Sequence, residues 1–179
     1  YIRHMDTNLN RDRRNRKKTT TEFSTLAYGK IPPQSRELEE AVLGAVMLER
    51  GAFDIVGNIL KPECFYVEAH QHVFRAVVRL NLESKPIDLL TVVEELKSME
   101  MLDVVGGPYF ISKLTNAVVS AANIEAHARI VQEKFIQREL IRISSEIITD
   151  AYDDTTDVFD LLDAAEQKLF SIANDQLKK

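Results

Sequence analysis

Several features that secreted and membrane proteins commonly carry are missing from this chain of 179 residues. It contains one cysteine, which cannot form an internal disulfide, and no tryptophan. Its apolar runs are far shorter than the roughly 20 residues that cross a bilayer. Its charged N-terminus has no apolar signal-peptide segment. We therefore expect no membrane partner and a cytoplasmic location, with which a single free thiol is compatible.

The sequence also lacks the short motifs that carry most nucleotide and metal chemistry. Its six glycines form neither G-x-x-x-x-G-K-[ST] nor G-x-G-x-x-G, so no phosphate-binding loop is predicted. His70 and His72 suggest a metal pair near Cys64, but residues two apart on a helix point about 200° apart. Packing and surface roles are the favoured interpretation of these residues. The patterns thus predict no catalytic residue, no metal site and no cofactor within the chain.

Charge is distributed unevenly, and the net charge of −5 combines two different regions. Residues 1–30 contain eight basic and three acidic residues, whereas residues 31–179 contain fifteen basic and twenty-five acidic ones. We predict that residues 1–30 form a flexible basic leader, of which residues 1–4 are a tag remnant. The leader either keeps the protein soluble or binds nucleic acid. The candidate nucleic-acid contacts are Arg11, Arg13, Arg14, Arg16, Lys17 and Lys18.

Hydrophobic periodicity predicts helices throughout the acidic region, without convincing strand-like alternation. A Pro-Pro pair prevents an early start of the first helix, and Ser35 is its expected N-cap. Asp88 is the expected cap of a later helix, and Pro108 begins another after a Gly-Gly break. The sequence therefore predicts an all-α fold, with a globular helical bundle over residues 31–119.

From Ser120 onwards the chain has no glycine or proline, which favours long helices. The polar break YDDTTD precedes a second helix, which Asp157 is expected to cap. Two long helices joined by a short turn predict an antiparallel helical hairpin over residues 120–175. Its apolar residues cover more surface than one helix can bury, so it should also pack on the globular part or another subunit. The predicted oligomer or partner interface consists of Val131, Phe135, Ile136, Leu140, Ile143, Ile147, Val158, Leu162 and Leu169.

Five segments occur together in an order and spacing typical of one protein family. They are PPQSRELEEAVLGAVML (32–48), FYVEAHQHVFRAVVRL (65–80), PIDLLTVVEEL (86–96), LDVVGGPYFISKL (102–114) and SAANIEAHARIVQEK (120–134). Together they resemble the amino-terminal domain of bacterial replicative DNA helicases, the DnaB family, over residues 31–175. The chain departs from the family at Leu38, where a small residue is expected, and at His127, where a tyrosine is expected.

This resemblance implies a role in DNA replication. The full protein would be a hexameric 5′–3′ DNA helicase, whose C-terminal RecA-like ATPase domain, absent from this chain, binds ATP and Mg²⁺. The amino-terminal domain would form a collar, a trimer of dimers paired through the hairpins, which recruits primase. Single-stranded DNA in the ring channel and a helicase loader are further partners that the resemblance suggests.

Three other functions are compatible with the residues themselves. A freestanding helical adaptor would present the same surfaces without a helicase half. Direct nucleic-acid binding by the leader predicts strongly salt-dependent binding that disappears when residues 1–30 are deleted. An independent enzyme is disfavoured because no catalytic motif was found.

Overall fold

The computed structural model describes residues 29–118 and 121–177, and every regular element within those ranges is helical, as predicted. The helices are α1 (Arg36–Leu48), α2 (Ala52–Val56), a 3₁₀ turn (Pro62–Cys64), α3 (Glu68–Leu82), α4 (Leu89–Ser98), α5 (Leu102–Val105), α6 (Gly107–Asn116), α7 (Ile124–Ala151) and α8 (Val158–Leu177). Two compact units are distinguished: the globular unit, Pro33–Arg138, and the hairpin unit, which includes residues 139–177. No helix in the described ranges is long and apolar enough to span a membrane.

The predicted helix starts are largely confirmed. The Asp88 carboxylate accepts from the Thr91 N–H at 2.9 Å, while the Asp88 N–H donates to the Thr91 hydroxyl at 2.9 Å. This reciprocal pair of bonds is a capping box, and it satisfies the backbone N–H groups of Asp88 and Thr91 at the start of α4. Pro108 lies in the first turn of α6, as expected. Ser35 occupies the predicted N-cap position of α1, but within the described residues its side chain makes no capping bond.

The short helix α5 was not predicted, because four residues are too few to show a helical period. Gly106 ends it with a φ of +109°, in the left-handed region that favours glycine. The next helix, α6, starts at once with Gly107. The Gly-Gly break therefore turns the chain sharply between two adjacent helices rather than forming a loop.

The core of the globular unit is apolar and contains a cluster of aromatic rings. The ring of Phe74 on α3 lies 5.0 Å from that of Phe65 and 6.0 Å from that of Phe53, measured between centroids. Both Phe65 and Phe74 are almost completely buried. Aromatic side chains bury large apolar areas, so this cluster is a main source of stability.

Helices α1 and α6 pack with close backbone contact at Gly44. A Cβ atom built at Gly44 would lie 2.3 Å from the carbonyl oxygen of Leu114 and 2.3 Å from Cγ2 of Val118. Both distances are far below van der Waals contact. Position 44 must therefore lack a side chain if the two helices are to keep this spacing.

A buried pair of ionisable side chains lies in the globular unit, a feature that the sequence did not indicate. Glu39 of α1 and His70 of α3 are each 1% exposed, and their Oε2 and Nδ1 atoms are 2.6 Å apart. The other Glu39 oxygen accepts from the N–H of Tyr66 at 2.7 Å, just before α3. The ring of Phe110 stacks on His70 at 5.9 Å between centroids. Glu39 thus joins α1 to the start of α3.

The first half of α7 belongs to the globular unit. Arg138 donates to the carbonyl oxygens of Pro33 and Cys64, both at 2.7 Å. Its guanidinium carbon lies 5.8 Å from the centroid of the Phe135 ring, which packs against the core. Because of these contacts, the division between the units falls inside α7, after Arg138, rather than at the predicted boundary near residue 120.

Candidate partner-binding surface

The hairpin unit consists of the last part of α7, a polar turn and α8. The Asp157 carboxylate accepts from the N–H groups of Phe159 at 2.9 Å and Asp160 at 3.2 Å. The predicted cap of α8 is therefore confirmed. In the turn, the Asp153 carboxylate accepts from the N–H of Thr155 at 2.9 Å. Local side-chain bonds of this kind compete with helix formation and end α7 at this point.

Ion pairs connect the two helices of the hairpin unit. Lys168 of α8 lies 3.0 Å from a carboxylate oxygen of Glu146 on α7 and 3.8 Å from one of Asp150. Arg142 donates to Glu139 at 2.8 Å and to Glu146 at 2.6 Å. The hydrogen bond from Lys168, together with the charges of Lys168 and Arg142, lowers the pKa of Glu146. The side of α8 that carries Lys168 therefore faces α7.

The same side of α8 carries its partly buried apolar residues. At 100° per residue, Leu161, Ala165 and Ile172 all lie within about 60° of Lys168 around the helix axis. Each of the three is partly shielded from solvent, whereas their neighbours Leu162 and Leu169 are exposed. One apolar stripe of α8 is thus used within the chain.

A second apolar stripe of α8 is exposed. Phe159 is 76% exposed and Leu162 is 64% exposed, and large apolar side chains that are exposed next to one another mark an interaction surface. At 100° per residue, five such residues fall within a sector of about 120°. We call them the outer apolar face: Val158, Phe159, Leu162, Leu169 and Phe170.

The nine predicted interface residues fall into three groups. Val158, Leu162 and Leu169 belong to the outer apolar face, and Leu140 is exposed on α7. Ile136 and Ile147 are partly buried. Of the remaining three, Val131 and Ile143 are buried, and Phe135 is partly buried against the core.

Three of the predicted interface positions are covered, wholly or in part, within the chain itself. Val131 is 2% exposed and belongs to the core of the globular unit, and Phe135 packs against that core. Ile143 is 1% exposed within the chain. The helical period identified these residues as buried, but it could not tell which partner covers them.

Phe159, Phe170 and Ile141 were missed by the sequence analysis, although all three are exposed. Phe159 and Phe170 are eleven residues apart, a spacing of just over three helical turns, so they lie on one side of α8. That spacing was the available signal. Ile141 lies next to the predicted Leu140, and nothing in the sequence marks it as exposed.

The candidate metal and thiol residues have separate structural contacts. Nδ1 of His70 is bonded to Glu39, whereas Nδ1 of His72 lies 3.2 Å from an Arg75 nitrogen. Burial raises the pKa of the Cys64 thiol. Within the described residues, no three His, Cys, Asp or Glu side chains converge as a metal site would require.

The basic leader lies outside the described residues. This applies to all six candidate nucleic-acid contacts, Arg11, Arg13, Arg14, Arg16, Lys17 and Lys18. The expectation that they contact nucleic acid therefore stays a prediction.

Comparison with known proteins agrees with the resemblance noted in the sequence. The profile of the family described as "DnaB-like helicase N terminal domain" matches residues 31–133. The replicative DNA helicase DnaB of Rhodothermus marinus is 44% identical over 151 residues, which cover 84% of this chain and 16% of that protein. The chain thus spans about a sixth of the length of this relative.

Two solved structures share the fold. The crystal structure of the N-terminal domain of DnaB helicase from Mycobacterium tuberculosis has a TM-score of 0.75 and 32% identity, covering 79% of this chain and 99% of that one. The structure of a DnaB-like replicative helicase, described together with its interactions with primase, has a TM-score of 0.64 and 23% identity, covering 77% of this chain and 31% of that one. On the family match and the first of these structures, this chain belongs to the DnaB-like helicase N-terminal domain family.

Proposed function

We propose that this chain is the collar domain of a hexameric replicative DNA helicase and joins the subunits through its hairpin unit. The outer apolar face is the observation that supports this proposal. Five large apolar side chains of α8 are exposed on one side of the helix. An exposed apolar surface of this kind favours aggregation unless another protein covers it.

A second copy of the same hairpin is the partner that this surface suits. In a twofold-symmetric pair, each apolar residue is buried twice, once in each subunit. Burying a large apolar side chain fully contributes about 1.5–3 kcal/mol. Part of each side chain is already covered in the single chain. Pairing therefore gains about half of this free energy from each of the ten side chains in the dimer. The total, on the order of 10 kcal/mol, is similar to the roughly 4–15 kcal/mol cost of association. The face therefore supports a reversible dimer, three of which would complete a hexameric collar.

The remaining functions belong to the parent protein and its partners. A DnaB-like helicase of the same fold was described with its interactions with primase, which supports primase as a partner of the assembled collar. ATP and Mg²⁺ would act in a RecA-like domain, because the sequence here has no phosphate-binding loop. We also propose single-stranded DNA in the ring channel and a helicase loader as partners of the parent protein, and the bacterial cytoplasm as its location.

The substitution Leu162→Asp tests the proposed hairpin pairing. It places a carboxylate in the centre of the outer apolar face, where pairing would bury it without a partner. We expect the dissociation constant, measured by analytical ultracentrifugation, to rise at least roughly tenfold, since each 1.4 kcal/mol corresponds to tenfold. Phe135→Asp is less suitable for this purpose, because Phe135 is partly buried against the core and its replacement would also change the stability of the globular unit.

The matched control is Gln167→Asp, which adds the same charge to α8 at an exposed position outside the face. It should leave the dissociation constant within about twofold, since exposed charges interact weakly. Circular dichroism should show that both variants keep their helix content. If folded Leu162→Asp sediments like the unmodified chain, the outer apolar face is not the pairing surface.

A freestanding helical adaptor is the alternative function, and it predicts no response to primase. Light scattering on the purified chain, with and without the C-terminal region of a bacterial primase, separates the two functions. We expect a complex of defined mass whose formation depends on hairpin pairing, so Leu162→Asp should weaken it. If the chain self-associates but forms no complex with the primase region, the result favours the adaptor function.

A further inference from the structure

We propose that Glu166 of α8 weakens the pairing of hairpin units and keeps it reversible. Pairing would bury the Glu166 carboxylate at a place where the second hairpin offers no basic side chain. This inference rests on the function proposed above, in which two copies of the outer apolar face pack against each other. It assigns the limit on the strength of that contact to a single residue.

Glu166 lies inside the outer apolar face rather than beside it. At 100° per residue, it is about 20° from Phe159 and about 40° from both Leu162 and Phe170 around the α8 axis. It also lies one turn after Leu162 and one turn before Phe170 along the helix. Like these residues, it is exposed in the single chain. A partner that covers the apolar side chains therefore covers the carboxylate as well.

The carboxylate of Glu166 has no neutralising partner within the chain. The residues three and four positions away on α8 are three apolar residues and one acid: Leu162, Asp163, Leu169 and Phe170. No lysine or arginine is therefore placed to pair with it along the helix. Within the ranges that the structure describes, Glu166 takes part in no ion pair. Its charge is thus solvated in the single chain, and pairing would remove that water.

A second hairpin unit supplies no cation for the covered carboxylate. Residues 139–177 contain two basic residues, Arg142 and Lys168. Arg142 pairs with two glutamates of α7, and Lys168 pairs with Glu146 and Asp150. Lys168 also lies about 160° from Glu166 around the α8 axis, on the side that faces α7. Burying an ionised carboxylate without a partner is unfavourable, so Glu166 opposes the gain from the apolar side chains.

The substitution Glu166→Gln in the full chain tests this inference. Glutamine has nearly the same shape as glutamate, but its neutral amide costs much less free energy to bury. We expect the dissociation constant, measured by analytical ultracentrifugation, to fall at least roughly tenfold, which corresponds to about 1.4 kcal/mol. Circular dichroism should show unchanged helix content.

The matched control is Asp160→Asn, which removes the same charge at an exposed position about 120° away from Glu166 on α8. It measures the general effect of making the hairpin unit less negative. That effect should be below about threefold, because exposed charges interact weakly. It should vanish near 1 M salt, where screening acts over about 3 Å. The gain from Glu166→Gln should persist at 1 M salt, because it arises from desolvation of the carboxylate rather than from repulsion at a distance.

The outcomes separate this inference from the proposed function. If Leu162→Asp weakens pairing while Glu166→Gln leaves the dissociation constant within about twofold, the inference is wrong and the pairing surface stands. If neither substitution changes the dissociation constant, the outer apolar face is not covered, and both fail.

Two further results would also overturn the role of Glu166. If Glu166→Gln weakens pairing, a hydrogen-bond donor of the partner meets the carboxylate, and Glu166 strengthens the contact instead. If the gain from Glu166→Gln equals that from Asp160→Asn and disappears at 1 M salt, net charge rather than burial of this carboxylate limits pairing.

Discussion

The globular unit and the hairpin unit use similar apolar residues in opposite ways. Phe65 and Phe74 of the globular unit are almost inaccessible and touch each other, whereas Phe159 and Phe170 of α8 have most of their surface exposed. The globular unit buries its aromatic cluster in a core, although Leu82, Leu90 and Val104 are exposed on its surface. The hairpin unit buries one stripe within the chain and exposes the other. The contrast indicates that one unit is built mainly for stability and the other for association.

The largest expected difference comes from removing one phenylalanine in each unit. Phe74→Ala should lower the free energy of unfolding by about 3–5 kcal/mol, because it leaves a cavity among buried rings. Phe159→Ala should change it by less than about 0.5 kcal/mol, because little is buried there in a single chain. Urea unfolding followed by circular dichroism, at concentrations that favour the monomer, measures both. If both variants lose a similar amount of free energy of unfolding, the proposed difference between the two units is wrong.

The buried carboxylate of the globular unit should produce the next largest effect. Glu39→Ala leaves His70 and the Tyr66 N–H buried without their acceptor, which should cost about 3 kcal/mol. Glu37→Ala, an exposed position in the same turn of α1, should cost less than about 0.5 kcal/mol. Thermal unfolding provides the comparison. Equal melting temperatures for the two variants would mean that Glu39 does not hold α1 to α3.

A methyl group at Gly44 tests how tightly the globular unit is packed. Gly44→Ala should destabilise it by about 2–3 kcal/mol, because the new Cβ collides with the Leu114 carbonyl. Gly107→Ala is the control, since its Cβ meets no atom within 4 Å, although its φ is +77°. That backbone strain alone should cost about 1 kcal/mol. A smaller loss for Gly44→Ala than for Gly107→Ala would refute the close helix contact.

The smallest expected effect concerns the ion pairs of the hairpin unit. The pKa of Glu146 is lowered by its bond to Lys168, so the charged form stabilises the folded hairpin. This contribution is present above the ordinary carboxyl pKa of 4.5 and is lost as the pH falls through the lowered value. Glu146→Gln should therefore lower the melting temperature slightly at pH 7, and the difference should shrink under more acidic conditions. A difference independent of pH would assign the stabilisation to packing instead.

Much of the local structure could be predicted from the sequence because its causes are local. The caps at Asp88 and Asp157 and the restart at Pro108 depend on residues within one helical turn, and all three are confirmed. The paired helices after residue 120 also follow from uninterrupted periodicity. These features require no knowledge of how distant segments meet.

The remaining features depend on contacts between distant residues. Glu39 is an acidic residue in the first turn of α1, yet it bonds to His70, 31 positions away. Val131 shares the periodicity of a surface stripe, but the globular unit covers it. Periodicity shows that a residue will be covered, and only the tertiary structure shows which element covers it.

The burial of Cys64 has a practical consequence for spectroscopy. Thiol reagents attack the thiolate, and here the only native thiol is 3% exposed with a raised pKa. A cysteine introduced at an exposed site such as Ser144 or Ser171 would therefore react far faster. Fluorescent dyes or spin labels can thus be attached at one chosen position of α7 or α8 while the native cysteine stays in place, and distances between labelled copies can be measured in solution.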